Sequence, residues 1–355
     1  MQFYWNYSFS TCFSGGKSYT DVPSLRSAPA FACYRPMKNH LITGGAGFIG
    51  SHLTEALLAA GERVTVIDDL STGRWENIAA LEGNPNFRAI VASADDRALI
   101  EQEVPRHDFV YHLASAVGVK LIIERPVETV QRIVRTTDTL VEVAARYRKP
   151  LLLTSTSEVY GKSDTVPFHE DSDVVMGPTS KRRWAYAGAK MLDEFLVLAH
   201  HYQSSLPVYI VRLFNTVGPR QSGQYGMVLP RFVAAAMRGE PLEVYGDGTQ
   251  QRCFCSVFDV VDALLRIRNE PAAMGKVINL GSNEEISMTA LAERIVRRCR
   301  SKSSVVLVPY EQAYGPGFDD MKRRVPDLRR AEEILGWKPQ TKLDEIIDQL
   351  ITETR

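Results

Sequence analysis

With 355 residues, 45% hydrophobic and 24% charged, the chain has the make-up of an ordinary globular protein with enough core to bury a cofactor. Its 42 basic residues balance 42 acidic ones, and no block of like charge suggests a nucleic-acid stripe or a polybasic membrane patch. No apolar run reaches the roughly 20 residues of a spanning helix, so neither nucleic acid nor membrane is expected as a partner.

Residues 1–36 are rich in aromatics and Ser and lack any helical or strand period. No basic residue precedes their first apolar stretch, so they do not read as a secretory signal. They are expected to be a disordered extension, or the result of a start placed upstream of Met37. The five cysteines are Cys12, Cys33, Cys253, Cys255 and Cys299. Their spacing matches no metal site and no disulfide framework, which implies no metal and a reducing cytoplasm. Cys253 and Cys255 alternate along an apparent strand as small buried hydrophobes.

From Met37 the texture changes. Short apolar runs predict strands at His40–Thr43, Arg63–Asp68, Phe87–Val91, Phe109–Leu113, Pro150–Thr154 and Val208–Phe214. Helix-length segments lie between several of them, at His52–Ala60, Pro126–Tyr147 and Arg183–Gln203. That alternation implies βαβ units and an α/β fold with a doubly wound parallel sheet. After Asn215, short strands at Leu242–Tyr245, Lys276–Leu280 and Val305–Pro309 mix with helices at Met227–Arg238, Val257–Arg268, Thr289–Arg300 and Leu328–Leu335. Turns at Val217–Arg220, Gly246–Gly248 and Tyr314–Gly317 punctuate them, and the whole predicts a smaller C-terminal α/β lobe.

The first strand runs into Gly44-Gly45-Ala46-Gly47-Phe48-Ile49-Gly50, which satisfies GxGxxG and opens a helix. Early glycines allow the turn, the middle one lets backbone approach a pyrophosphate, and the last permits helix–strand packing. The next strand ends at Asp68, where a carboxylate meets the adenosine ribose and repels a 2′-phosphate. These features predict a Rossmann fold binding NAD through Gly44, Gly47, Phe48, Ile49, Gly50 and Asp68. Asp69 and Arg74 are ambiguous, and Arg74 could instead meet a 2′-phosphate.

The strand at Pro150–Thr154 leads into Ser155-Thr156-Ser157-Glu158, followed by Tyr186-Ala187-Gly188-Ala189-Lys190. Tyr and Lys at i and i+4 share a helix face. An ammonium and an oxidised nicotinamide beside a phenol favour phenolate, which can take a sugar hydroxyl's proton while hydride leaves the carbon. Tyr186 and Lys190 are therefore the candidate catalytic pair, and both are candidate cofactor-binding residues as well.

Together with Phe214-Asn215, Gly218-Pro219-Arg220, Gln251-Arg252 and Val257-Phe258-Asp259, these motifs resemble the extended short-chain dehydrogenases that act on nucleotide-sugars, from Met37 to about Lys338. The resemblance implies an NAD-binding domain over 37–214 and a mainly nucleotide-sugar-binding lobe over 215–355. It also implies that Thr156 and Ser157 contact the sugar hydroxyl or nicotinamide region, that Glu158 is a second catalytic acid/base, and that Asn215, Arg252 and Arg324 hold the diphosphate, with Arg220 and Arg231 as plausible partners by their bidentate geometry. It implies a homodimer formed through the Pro126–Tyr147 and Arg183–Gln203 helices. The acid at Glu158, Gly177-Pro178, Arg183-Trp184-x-Tyr186 and Asp320-x-x-x-Arg324-x-Pro326 are closest to UDP-glucuronate decarboxylases. Met227, where those enzymes usually carry Arg, and Ile133, in place of a common Asn, depart from that pattern. A UDP-sugar 4-epimerase, a 4,6-dehydratase and a non-catalytic dinucleotide binder are the alternatives; the last usually lacks the Tyr or Lys.

Overall fold

The structure, a computed structural model, describes residues 37–115, 125–223, 227–314 and 320–354. The expected N-terminal extension with Cys12 and Cys33 lies outside the described residues, as do Gly226 and most of the Tyr314–Gly317 turn. The first half runs β1 (Asn39–Thr43), α1 (Phe48–Ala59), β2 (Arg63–Asp68), β3 (Phe87–Val91), α2 (Arg97–Glu103), β4 (Phe109–His112), α3 (Pro126–Tyr147), β5 (Leu151–Thr156), α4 (Trp184–Ser204) and β6 (Val208–Leu213). Then follow β7 (Thr216–Val217), α5 (Val228–Arg238), β8 (Leu242–Tyr245), β9 (Gln251–Cys253), β10 (Cys255–Ser256), α6 (Val257–Ile267) and β11 (Val277–Leu280). The chain ends with β12 (Glu285–Ser287), α7 (Met288–Arg298), β13 (Val305–Val308), α8 (Tyr310–Tyr314), β14 (Arg323–Arg324), α9 (Arg329–Leu335) and α10 (Leu343–Thr354).

Seven strands form one parallel sheet in the order β11-β6-β5-β4-β1-β2-β3. Leu41, Ile42, Val110, Leu151, Leu152, Leu153, Ile210 and Val211 are fully buried. Near-continuous apolar strands of this kind suit a sheet covered on both faces. Leu53 and Leu57 of α1 pack with Val260, Leu264 and Trp337 on one side. Ile100 of α2, Leu140 and Val141 of α3 and Val197 of α4 fill the other. After β3 the chain returns to place β4 beside β1, so the strand order reverses between them, and a crevice opens beyond their carboxyl ends.

Two elements differ from expectation. Helix α1 starts at Phe48 rather than His52, because the glycine turn feeds directly into it with Gly47 at the N-cap. Strand β11 does not belong to the later lobe: it pairs with β6 at the edge of the main sheet, Ile278 opposite Val211. The lobe itself is built from α5, α7 and α10, packed around Phe232, Leu291 and Ile347 beside the parallel pair β8–β13.

Candidate active site

The carboxyl ends of β1 and β2 form the first half of the site. Gly44 has φ +76°, and a Cβ there would meet the Ala114 backbone nitrogen at 2.6 Å. A Cβ on Gly50 would strike the Gly44 carbonyl. No side chain caps α1, so its first N–H groups are left for an anion. Asp68 accepts from the N–H groups of Ala46 and Leu70, each at 2.9 Å. Burial pushes its pKa up, against those two donors and Arg132. Asp69 is paired with Arg132, which gives it a structural partner, whereas Arg74 lines the cavity.

A cavity of ≈ 460 Å³ extends from this cradle across the sheet ends to the lobe. Gly44, Gly47, Phe48, Ile49, Gly50 and Asp68 line one end; Thr156, Ser157, Glu158, Tyr186, Asn215, Arg231, Arg252 and Arg324 line the rest. A glycine cradle, an uncapped helix end and a carboxylate with lone pairs to spare fit a dinucleotide.

Thr156 ends β5 and accepts from the Glu158 N–H at 3.2 Å, which leaves its own O–H to donate. The Tyr186 phenol lies beside the Thr156 and Ser115 hydroxyls; burial, then Glu158, push its pKa above the ordinary value. The Ser157 hydroxyl is buried without a hydrogen-bond partner in the protein, a lapse that ligand binding explains. Ile133 packs under Tyr186 and Ala189 as plain core. Lys190, one turn along α4, is 2% exposed and donates to Asp193 Oδ2 at 2.9 Å. The ammonium expected to act on the phenol is thus shared with an acid of its own helix.

Glu158 stands in a buried charge cluster. Its carboxylate meets Arg183 at 3.2 Å and Arg324 at 3.5 Å. Asp320 bridges Arg183 and Arg252, each at 2.8 Å; although burial works to raise its pKa, the two guanidiniums hold it below the usual range. Burial and the neighbouring arginines pull Arg324 down to about 10. Arg324 also donates to Asn215 Oδ1 at 3.4 Å, while Asn215 Nδ2 donates to the Cys253 carbonyl at 2.7 Å. Arg231 lies 4.1 Å over the Tyr245 ring and donates to the Glu243 carbonyl. Arg220 is pinned to Glu55 of α1 at 2.6 Å.

Arg183 and Asp320 entered the sequence reading only as signature positions, not as site residues. Arg183 precedes Tyr186 by one helical turn, a signal that places both on one face. Asp320 lies 137 positions from Arg183, and nothing local announces that pairing. Nor does spacing reveal Tyr245, Tyr310 and Tyr314, whose rings meet at the lobe end of the cavity.

Residues 41–350 match the family model described as GDP-mannose 4,6 dehydratase. The chain is 41% identical over 315 residues to a UDP-N-acetyl-alpha-D-glucosaminuronate decarboxylase of Bacillus cytotoxicus, covering 88% of this chain and 97% of that one. It is 36% identical to UDP-glucuronic acid decarboxylase 1 of Danio rerio, over 90% and 73% of the two chains. Among solved structures it is similar to a UDP-glucuronic acid 4-epimerase from Bacillus cereus in complex with UDP-glucuronic acid and NAD, with TM-score 0.80, 26% identity and coverage of 89% and 98%. A UDP-glucose 4-epimerase of Thermotoga maritima with UDP-glucose gives TM-score 0.79, 28% identity and the same coverage.

Proposed function

The chain belongs to the GDP-mannose 4,6-dehydratase family of NAD-dependent nucleotide-sugar enzymes, and from that premise we propose that it decarboxylates a UDP-hexuronate, converting UDP-glucuronate to UDP-xylose through a transient 4-keto sugar. The glycine cradle and Asp68 would hold NAD, which would supply a reversible hydride acceptor for C4. Thr156 and Ser157 hold the 4-oxygen, and Tyr186 Oη takes its proton. With C4 a ketone, the C5–C6 bond breaks, CO2 leaves, and the electron pair moves into an enolate at C4–C5. Glu158, a carboxylate in the resting site, is assigned to relay a proton from solvent water to C5; Tyr186 returns its own to the 4-oxygen as C4 is reduced.

The charge cluster carries this reading. Arg183 and Arg324 flank the Glu158 carboxylate and Arg183 and Arg252 flank Asp320, a buried arginine cluster that lines the cavity. A sugar carboxylate entering there would meet guanidiniums suited to bind it, whereas a neutral hexose would make no use of them. The cation absent at Met227 is supplied by Arg183 and Arg324. Arg183 and Arg324 are assigned to the sugar carboxylate, and Asn215, Arg252 and Arg231 to the diphosphate.

Incubation with UDP-glucuronate, its 2-acetamido counterpart and UDP-glucose, with product masses read out, tests the proposal. Loss of the mass of CO2 is expected from a uronate. An unchanged mass with a new C4 epimer would replace it by the epimerase, and loss of water from the hexose by the dehydratase. The Bacillus cytotoxicus likeness supports a second reading of the sugar, with an acetamido group at C2; the kcat/KM ratio of the two uronates decides between them.

The assembly reading is a homodimer. Leu192, Phe195 and Tyr202 of α4 and Val127 and Tyr147 of α3 are exposed, on the two helices that pack together. Large exposed apolar side chains on adjacent helices support a protein interface there. Cys253 and Cys255 are buried free thiols, in keeping with a cytoplasmic setting.

A further inference from the structure

Asp193 is fully buried on α4, and the proposed reaction gives it no task. Its Oδ2 accepts from Lys190 Nζ at 2.9 Å. The Thr137 hydroxyl of α3 lies beside the same carboxylate and is also 3.0 Å from His112 Nε2. His112 Nδ1 is 2.7 Å from Thr43 Oγ1. One direction satisfies the imidazole: Thr43 donates to Nδ1 and Nε2–H donates to Thr137, whose own O–H is then free to point at the Asp193 carboxylate, where Oδ1 has no hydrogen-bond partner in the protein.

The other charged groups around this pair are already engaged. Glu194, the next residue of α4, is held by Arg212 of β6 and Ser155 of β5. Glu158, beyond β5, is held by Arg183 and Arg324. Arg132 of α3 is paired with Asp69. His112 of β4 is kept neutral by burial and by the Lys190 ammonium. Among the described residues this leaves Lys190 as the cation of Asp193.

Stability alone is a poor reason for such a pair, because replacing a buried ion pair with apolar side chains is often neutral or stabilising. Lys190 lies one turn from Tyr186, so a carboxylate on its ammonium weakens the positive field that reaches the phenol. An ammonium has three donors, so holding Asp193 leaves two for cofactor hydroxyls.

We propose that Asp193 is a positioning residue that anchors the Lys190 ammonium and partly offsets its charge, so that Tyr186 becomes a phenolate at a higher pH than lysine alone would set. This rests on Tyr186 being the base. The sign follows from charge: removing the carboxylate leaves the ammonium unopposed and favours phenolate.

The test uses the NAD-loaded protein and two readouts. The first is tyrosinate difference absorbance against pH, each protein being compared with its Tyr186→Phe counterpart to isolate Tyr186. The second is the single-turnover rate of C4 oxidation against pH. Asp193→Asn, which keeps shape and an acceptor, should move the Tyr186 titration and the rising limb of the rate profile to lower pH by about one unit, a tenfold change in phenolate fraction. Asp193→Glu should restore the parent profile at least in part. In a Lys190→Met background the shift caused by Asp193→Asn should be much reduced. A lower melting temperature with an unmoved Tyr186 titration would overturn the proposal, as would an equal shift without Lys190. The titration needs no substrate, so a protein inert towards uronates would defeat the decarboxylase reading and still decide this one.

Discussion

His112 is a base kept from its proton. Fully enclosed between Thr43 and Thr137, it has its pKa lowered from 6.5 to about 3 by burial and by Lys190. An unfolded chain binds a proton near pH 6.5 that the folded chain refuses. The contribution to stability is therefore present above that pH and is lost as pH falls towards 3. Several kcal/mol are at stake on this scale, so His112→Gln should flatten the acid limb of a melting-temperature profile; a limb as steep as the parent's would assign acid lability elsewhere. Glu158 allows a second prediction. Glu158→Gln should still oxidise C4 but stall before C5 gains its proton, so reduced nicotinamide accumulates and xylosyl product falls by about a hundredfold, the usual span of a lost acid–base group. Unchanged product formation would take Glu158 out of the chemistry. At this scale the sequence was most legible where roles are local. Gly44–Gly50, Asp68, and Tyr186 with Lys190 each sit within one turn or one strand end, so spacing alone brings them together. The partners of Glu158 come from Arg183 and Arg324, 25 and 166 positions away, and only the fold brings them together.

Elements explain why the cradle stays in shape. The loop after β1 is tied down from both sides, Gly44 N–H to the Ile67 carbonyl at 2.8 Å and Ala46 N–H to Asp68 at 2.9 Å. Helix α1 then leaves no room for a side chain at Gly50. Gly50→Ala should push α1 off the turn and weaken NAD binding by at least about tenfold, with a cost in stability of order 1–3 kcal/mol for overpacking. Fluorescence titration with NAD checks it, and an unchanged dissociation constant would show that the turn tolerates the methyl group. Long, strongly patterned elements such as α3 and β2 were read from sequence to the residue. Strand β11 was assigned to the wrong layer because four residues between a turn and Gly281 carry no mark of which strand they will join. Its place beside β6 is fixed by burial of Ile278 and Leu280 on one face and of Asn279 on the other.

For the whole molecule, the exposed Leu192, Phe195 and Tyr202 make the association state the first property to measure. Phe195 is 63% exposed, so Phe195→Glu should leave the fold intact and halve the light-scattering mass of a dimer at micromolar concentration. A parent protein that already scatters as one chain would remove the dimer. The charge cluster adds a prediction between the two halves of the cavity. Arg183→Met should lower kcat/KM for a uronate by about tenfold or more, on the scale of breaking a buried pair, while NAD affinity stays within a factor of about three. Equal losses for the uronate and NAD would mark general damage.

The seat of β11 at the sheet edge also bears on synthesis. The chain leaves β6, makes α5, β8 and α6, and only then returns to cover that strand. Until residues 277–280 have emerged from the ribosome, the outer edge of β6 offers unpaired backbone groups flanked by Ile210 and Val211, the kind of edge that recruits other strands. A nascent chain stalled just before Val277 should therefore be more prone to proteolysis and aggregation than one stalled past the end of α6 with β11 also released. The last strand into the main sheet thus sets the moment at which the cofactor domain can finish folding.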